Sequence, residues 1–276
     1  MPAAGRMLAD GVRLHLHHGP IDLILWADAK ARAGAYARAA ARFATVLDEL
    51  VAELPDLRRA DPPSLRGAVA RRMQAATAPF LPDFVTPMAA VAGAVADEVL
   101  AAMAADPELR KAHVNNGGDI ALHFAPGETL TAAMAGGRVV LEAADPWRGI
   151  ATSGWRGRSH SLGIADAVTV LARSGAAADA AATLIANAVD LPGHPAIRRS
   201  PARDLAPDSD LGGRMVTVGV DALTPAEAAR ALDRGAEAAA AYAARGLIGA
   251  AFLMLDGQTR TLGAGADHLL REPADA

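Results

Sequence analysis

The sequence contains no cysteine and few aromatic residues, and both deficits limit what the protein can be. Without cysteine, the 276-residue chain has no disulfide, iron–sulfur cluster, thiolate zinc site or cysteine nucleophile. Aromatic residues make up 4% of the chain while hydrophobic residues make up 52%, so aromatic stacking is a poor basis for ligand binding here. The formal net charge of −4 lacks the basic excess typical of nucleic-acid-binding proteins, so we expect no nucleic-acid partner.

Long uncharged hydrophobic stretches are also missing. Residues 1–18 contain no apolar core of a secretory signal. The most apolar long window, residues 85–105, carries Asp97 and Glu98 near its centre, whereas a membrane span needs ~20 residues largely free of charge. We therefore expect a soluble, cytoplasmic protein with no membrane partner.

Hydrophobic periodicity predicts clusters of strands with helices between them. Apolar residues alternate over residues 12–16 and form a run at residues 21–26, which predicts a hairpin. Helices are predicted at residues 30–54, 65–78, 88–105 and 225–245 and in the alanine-rich part of residues 168–189, and short glycine-separated strands at residues 111–172. This order favours an α+β fold with antiparallel sheets packed against helices.

Two segments near the carboxyl end have less regular patterns. Residues 191–213 are rich in proline and aspartate, which predicts a connection without regular structure. Residues 247–255 form an apolar run that predicts an exposed strand, and such a strand can pair across a homodimer.

Paired glycines precede an acidic residue in the segment VNNGGDIALH, residues 114–123. Gly117 and Gly118 can adopt positive φ angles, and backbone amides exposed in this way can form an anion-binding nest for phosphate. The alternative is a tight turn between two strands, in which Asn116 and Asp119 are ordinary turn residues.

A second polar segment, GIATSGWRGRSHSLGIADAV, spans residues 149–168. Its candidate binding residues are Thr152, Ser153, Gly154, Arg156, Arg158 and His160. The first three predict a polar turn between strands, and the two arginines alternate on a predicted strand where they can meet phosphates. The histidine can act as a general base near neutral pH. The alternative is an exposed basic strand with an incidental histidine.

Asp179 and Thr183 lie four positions apart in the alanine-rich helix that follows the strand near residue 170. Residues at i and i+4 share one helix face, ~5–6 Å apart at Cβ. A carboxylate and a hydroxyl there offer hard oxygen ligands for Mg²⁺, which keeps waters and shares the phosphate oxygens of a ligand. In the alternative, Asp179 interacts with the helix macrodipole and Thr183 bonds back to a backbone carbonyl.

Two further patterns each leave two interpretations open. His15 and His17 face the same side of a strand, where they either bind a transition metal or form a solvated polar face. Asp97 is either buried and functional or exposed on the wet face of its helix.

Taken in order, these elements resemble the ApbE superfamily, whose best-known members are FAD:protein FMN transferases. The matching elements are Gly-Gly-Asp-Ile at 117–120, Ala-Thr-Ser-Gly at 151–154, Ser-His at 159–160, Val-Thr-Val at 168–170 and Ala-Asp-Ala-x-Ala-Thr at 178–183. The resemblance is strongest over residues 85–190. Over residues 1–276 the chain resembles a shorter cytoplasmic branch of bacteria and methanogenic archaea, which implies a single T-fold-like domain.

The resemblance implies a metal, a substrate and a reaction. Asp179 and Thr183 would help hold Mg²⁺ at the pyrophosphate of FAD, with a backbone carbonyl from residues 90–93 as a third ligand. FMN would move to a Thr or Ser of an acceptor protein, with Asp179 and His160 as catalytic residues. The residues implied in binding the flavin nucleotide are Asn116, Gly117, Gly118, Asp119, Thr152, Ser153, Gly154, Arg156 and Arg158.

The chain also departs from the superfamily pattern. Residues 90–97 read Ala-Val-Ala-Gly-Ala-Val-Ala-Asp, without the lysine and tyrosine of many ApbE proteins, and no Asp-Pro-x-Thr-Gly follows the histidine. Two alternatives follow from these departures. One is an enzyme on this scaffold that acts on another substrate in a specialised cofactor pathway, such as methanopterin-linked one-carbon metabolism. The other is a flavin- or nucleotide-binding protein without turnover.

Overall fold

The structure, a computed structural model, describes residues 2–134 and 137–271 and divides into two compact units. The first unit comprises Met1–Thr131, Leu141–Ala151 and Ala172–Asp179, and the second comprises Ala132–Val140, Thr152–Leu171 and Ala180–Ala276. Antiparallel strand pairs and helices alternate in clusters along the chain. The predicted α+β fold is therefore confirmed.

The regular elements are numbered in chain order. The strands are β1 Ala4–Met7, β2 Leu14–His18, β3 Ile21–Ala27, β4 Lys111–Asn116, β5 Asp119–Phe124, β6 Thr129–Met134, β7 Gly137–Glu142, β8 Gly149–Ser153, β9 Ala167–Ala172, β10 Ile197–Pro201, β11 Met215–Val220, β12 Ala250–Leu255, β13 Gln258–Leu262 and β14 Leu269–Arg271. The helices are α1 Arg32–Ala52, α2 Leu54–Leu57, α3 Ala68–Thr77, α4 Val91–Met103, α5 Gly175–Ala188, α6 Ala202–Leu205 and α7 Pro225–Ala244.

An antiparallel meander of strands β1 to β5 forms the sheet of the first unit, with β8 paired to β5. Strands β2 and β3 form the predicted hairpin, in which Leu14 opposes Leu25. Helices α1 and α4 pack on this sheet and against each other. On helix α1, Phe43 is 1% exposed and Val46 is 0% exposed. The apolar stripe of this helix therefore forms part of the core.

In the second unit, strand β12 lies between β9 and β13 and pairs antiparallel with both. The expected exposed strand at residues 247–255 is wrong, because Phe252 and Leu253 are almost fully buried beneath α7 and between paired strands. Helix α7 begins after Thr224, whose hydroxyl accepts the N–H of Glu227 while the Glu227 carboxylate accepts the N–H of Thr224.

Residues 191–213 are not the irregular connection that their composition predicted. They contain β10 and the short helix α6, and β10 pairs with β11. Proline stands at the last position of β10, where the strand ends and α6 begins, so this residue bounds the strand instead of preventing it. None of the helices in the described part of the chain combines the length and apolarity that crossing a membrane requires.

Candidate functional site

The Asp179 carboxylate lies at the N-terminus of a neighbouring helix. Its Oδ2 atom accepts a hydrogen bond from the backbone N–H of Gly93, at 3.0 Å, and the N–H of Ala92 also interacts with it. Helix α4 begins after Ala90, whose side chain cannot cap a helix. Asp179 therefore satisfies donors that α4 leaves free at its first turn.

Asn116 fixes the same turn of α4 from the sheet side. This side chain is 5% exposed at the end of β4, and its Nδ2 donates to the carbonyl oxygen of Ala92 at 3.1 Å. The structure thus brings together two predicted residues, Asn116 and Asp179, on adjacent backbone groups of α4. Asp119 faces Asn116 across the β4–β5 pair and acts electrostatically on Asp179.

Asp97 makes the reciprocal contact from α4 to α5. Its two carboxylate oxygens accept the N–H groups of Gly175 and Ala176 at 2.8 and 2.9 Å. The hydroxyl of Ser174 accepts the N–H of Ala177 at 3.2 Å, so the first turn of α5 is also satisfied. The sequence left Asp97 undecided, and the structure shows it half-buried as the cap of another helix.

Small residues allow α4 and α5 to approach closely enough for this exchange. A Cβ atom at Gly93 would lie 2.2 Å from the carbonyl oxygen of Gly175, and one at Gly175 would lie 3.0 Å from the carbonyl oxygen of Gly93. Only glycine at position 93 leaves room for the backbone of α5. Each of these glycines stands at the start of an alanine-rich helix, and no motif in the sequence marks them as a pair.

The electrostatics of this site favour a cation. Burial raises the pKa of Asp179 well above its ordinary value, and the nearby Asp119 carboxylate and, more weakly, Asp97 raise it further. The backbone N–H groups of Gly93 and Ala92 act in the opposite direction but do not cancel the rise. Burial also raises the pKa of Asp97. A proton or a cation beside Asp179 would relieve this unfavourable charge.

A few oxygen atoms near Asp179 could serve as metal ligands. Within residues 2–134 and 137–271, no group of three or more histidine, aspartate or glutamate side chains could hold a metal ion. The nearby oxygens belong to the Asp179 and Asp119 carboxylates. Such a hard, incomplete set suits Mg²⁺, which retains several waters when it binds to proteins.

The glycine pair forms the tight turn between β4 and β5. Gly117 and Gly118 have φ angles of 67° and 115°, which ordinary L-residues avoid. The Gly118 N–H donates to the Asn115 side chain at 2.8 Å, so this amide is engaged within the turn. The structure therefore shows the turn alternative at these residues, and phosphate binding here stays a prediction.

The predicted polar turn at residues 152–154 is instead the end of a strand. Thr152 and Ser153 are the last two residues of β8 and Gly154 follows them. The Thr152 hydroxyl is 2.9 Å from that of the buried Thr169. A Cβ at Gly154 would lie 2.4 Å from the Asp166 carbonyl oxygen, so glycine permits close backbone packing there.

The predicted strand carrying the arginines and the histidine is wrong. Residues 155–159 form turns and bends, and His160 follows them outside any regular element. Residues 156–160 are all exposed, so the alternating pattern has no buried face that a strand could present. Arg156 is exposed, stacks on Trp155 with Cζ 4.3 Å from the ring centroid, and pairs with Asp166 at 3.5 Å. Arg158 and His160 are exposed in the same loop of the second unit. Thr183 also belongs to the second unit, one turn after Asp179 on α5.

The histidines near the amino end favour the solvated-face interpretation. His15 Nε2 lies 3.0 Å from the Asp22 carboxylate, and the His15 and His17 ring centroids are 6.4 Å apart. His17 is exposed.

The chain is thus an α+β protein in which two helices exchange caps. Asp179 on α5 caps the N-terminus of α4, and Asp97 on α4 caps the N-terminus of α5. It belongs to the family described as AbpE bacteria, whose model matches residues 5–261. The resemblance to the ApbE superfamily stated from the sequence is therefore confirmed.

Two relatives come from methanogenic archaea. A UPF0280 protein of Methanopyrus kandleri is 38% identical over 175 residues, which cover 60% of this chain and 69% of that protein. A UPF0280 protein of Methanothrix thermoacetophila is 43% identical over 112 residues, which cover 38% of this chain and 46% of that protein. These names state no substrate or reaction.

Two solved structures are similar over nearly the whole chain. The apo form of the Pseudomonas stutzeri flavinyl transferase ApbE is 13% identical with a TM-score of 0.46, and the match covers 99% of this chain and 97% of that one. The flavin transferase ApbE from Vibrio cholerae is 13% identical with a TM-score of 0.44, and the match covers 97% and 99%. The fold described above rests on this chain's own strands and helices.

Removing the Asp97 carboxylate should destabilise the protein through the start of α5. In Asp97→Ala the N–H groups of Gly175 and Ala176 lose their acceptors, and we expect a loss of about 2–4 kcal/mol in the free energy of unfolding. Asp97→Asn keeps one acceptor oxygen and should lose less. Urea unfolding with a constant slope measures both. An Asp97→Ala midpoint equal to that of the wild type would contradict the proposed cap.

Proposed function

We propose that this protein is a Mg²⁺-dependent transferase that cleaves the pyrophosphate of FAD and moves FMN to a Thr or Ser hydroxyl of an acceptor protein. The observation that carries the proposal is the Asp179 carboxylate, which is held against the first turn of α4 with its pKa raised well above the ordinary value. Membership of the AbpE bacteria family and the order of the sequence motifs support it.

The residues present fit a magnesium ion. Asp179 and Thr183 stand four positions apart on α5 and therefore share one face of the helix, where both would hold the ion. A backbone carbonyl from residues 90–93 would be a third ligand. When bound, Mg²⁺ supplies charge neutralisation at the pyrophosphate oxygens.

The other residues would bind the substrate and move a proton. The turn from Asn116 to Asp119, the end of β8 and the two loop arginines would bind the flavin nucleotide. The acceptor hydroxyl oxygen would form a bond to the phosphorus of the FMN half, the bond from that phosphorus to the bridging oxygen would break, and AMP would leave. His160, exposed in its loop, would accept the hydroxyl proton.

A paired substitution at Thr183 tests the metal ligand set. Thr183→Val removes the hydroxyl and keeps the branched shape, so we expect release of AMP from FAD to fall by roughly 10–100-fold. Thr183→Ser retains the hydroxyl and should keep most of the activity. The measurement is chromatography of AMP after incubation with FAD and either Mg²⁺ or EDTA, using a Thr- or Ser-containing acceptor. Equal activity of the Val and Ser variants would reject the hydroxyl as a ligand.

The same assay separates the proposal from its alternatives. Tight retention of FAD without AMP release would identify a flavin-binding protein without turnover. Absence of both binding and AMP release would reject flavin transfer and direct attention to another substrate on this scaffold. Native mass spectrometry of freshly purified protein, with Mg²⁺ in the buffer, would then reveal any other bound small molecule and whether the protein is a homodimer.

A further inference from the structure

A cavity of about 240 Å³ lies in the first unit, further along α4 than the Asp179 contact. It is lined by the middle and end of α4, by β5 and by the segment that leads into α5. Its polar lining consists of Arg72, Asp97, His123, Arg148, Arg173 and Ser174. Ala101 on its wall is eight residues after Gly93, which corresponds to ~12 Å along a helix.

Arg148 is a preorganised cation in this cavity. Its Nη1 donates to the carbonyl oxygens of Asp145 and Trp147, and its Nη2 donates to that of Ala143 at 2.9 Å. The guanidinium lies over Phe124, with Cζ 4.2 Å from the ring centroid. These hydrogen bonds all go to neutral carbonyl groups, while the Asp145 carboxylate acts on Arg148 electrostatically. Burial lowers the pKa of Arg148, and the Asp145 carboxylate acts in the opposite direction without cancelling the shift.

Arg173 supplies a second cation. It is exposed at the cavity mouth, with Cζ 5.8 Å from the ring centroid of Trp147. Across the part of the chain that the structure describes, it has neither an ion pair nor a hydrogen bond through its side chain. Its guanidinium is therefore available to a ligand that enters from solvent.

The other charges of the cavity already have partners. Arg72 pairs with Glu98 at 2.8 Å, and Glu98 also pairs with Arg42, which binds Glu49, so these four charges balance. Asp97 uses both carboxylate oxygens on the N–H groups of α5. Asp145 acts on Arg148, so Arg173 is the lining guanidinium that faces solvent without an ion pair among the described residues.

We propose that this cavity binds a small ligand through an oxyanion, either a phosphate or a carboxylate group, with Arg148 and Arg173 as its charged contacts. Guanidinium groups hold such planar or tetrahedral oxyanions by paired, charge-assisted hydrogen bonds. A volume of about 240 Å³ falls below that of drug-sized pockets, so the ligand is a small metabolite or a single charged group of a larger one. The site is separate from the proposed flavin reaction, since it uses neither Asp179 nor Thr183.

Arg173→Gln tests this site without disturbing the fold, because its side chain makes no hydrogen bond to the described residues. Inorganic phosphate and malonate are titrated separately by calorimetry, in EDTA and at constant ionic strength. The wild type should bind at least one of them, and Arg173→Gln should weaken that binding by about tenfold or more. Exposed Arg234 on α7 provides the matched control, since Arg234→Gln removes the same charge elsewhere.

Each outcome decides the proposal. Binding of phosphate alone identifies a phosphate ester, binding of malonate alone identifies a carboxylate, and either supports an oxyanion site if Arg173→Gln weakens it selectively. Equal weakening in Arg173→Gln and Arg234→Gln would reveal a general charge effect and overturn the proposal. Absence of binding of both anions to the wild type would overturn it too. Arg148→Lys, which keeps the charge but loses the paired donors, should weaken binding as well.

Discussion

Asp179→Asn should abolish FAD turnover and at the same time make the metal-free protein more stable. Loss of the carboxylate removes a proposed Mg²⁺ ligand, and activity should fall more than ~100-fold, since even residues that only support a ligand are worth ~10–100-fold. The neutral amide keeps an oxygen for the Gly93 N–H but removes a half-buried charge near Asp119. We expect a gain of about 1 kcal/mol, or roughly 2–4 °C in Tm.

The stability gain should depend on pH in a defined direction. The pKa of Asp179 is higher in the folded than in the unfolded state, so protonation favours folding. The stabilising effect of protonation is complete below the unfolded pKa of about 4 and is lost as pH rises through the folded value. The difference in Tm between Asp179→Asn and the wild type should therefore be largest at neutral pH and shrink towards pH 4.

Thermal unfolding in EDTA and the AMP assay measure these two effects in parallel. Asp48, exposed on α1, gives the control variant Asp48→Asn, which should change neither quantity. A lower Tm for Asp179→Asn at neutral pH would show that the carboxylate contributes more as a cap of α4 than it costs as a half-buried charge. Full activity of this variant with Mg²⁺ would refute the metal role.

Gly93→Ala should be among the most destabilising single-methyl additions in the chain. The new Cβ would lie 2.2 Å from the backbone oxygen of Gly175, which cannot move without displacing the start of α5. We expect a loss of about 3 kcal/mol from this overpacking. The Asp179 contact depends on the same helix approach, so metal-dependent activity should fall as well.

Gly34→Ala on α1 is the matched control for this substitution. A Cβ there would meet first the flexible end of Arg38, at 3.1 Å, and alanine has the higher helix propensity. The control should be neutral or stabilising by up to ~1 kcal/mol. Urea unfolding compares the two variants. Similar midpoints for both would mean that α4 and α5 do not approach as closely at Gly93 as described.

Local signals explain the parts of the fold that the sequence predicted. The alternation in β2 and the run in β3 give the hairpin, and the pair Thr224 and Glu227, three positions apart, marks the start of α7. Residues 155–160 mislead for the same reason, because alternating arginines imitate a strand where no partner strand receives them. Strand β12 is buried because it lies between β9 and β13. Its own residues do not indicate which strands pair with it.

The sequence points to individual residues such as Asp179 but not to their arrangement. Helical spacing and the family resemblance point to Asp179, yet its contact with Gly93 joins residues 86 positions apart. The Asp97 contact with Gly175 spans 78 positions. Arg148 and Arg173 did not stand out either, since isolated arginines carry no pattern until the fold places them beside one cavity.

The exchange of caps between α4 and α5 has a consequence for the order of folding. Because each cap comes from a distant part of the chain, neither can form until the intervening strands have assembled and the loop-closure entropy has been overcome. These contacts should thus be largely absent from the folding transition state and present only in the native state. Interactions of that kind slow unfolding more than they speed folding. The Asp97 cap of α5, whose removal should destabilise the protein, is therefore expected to act mainly by slowing unfolding.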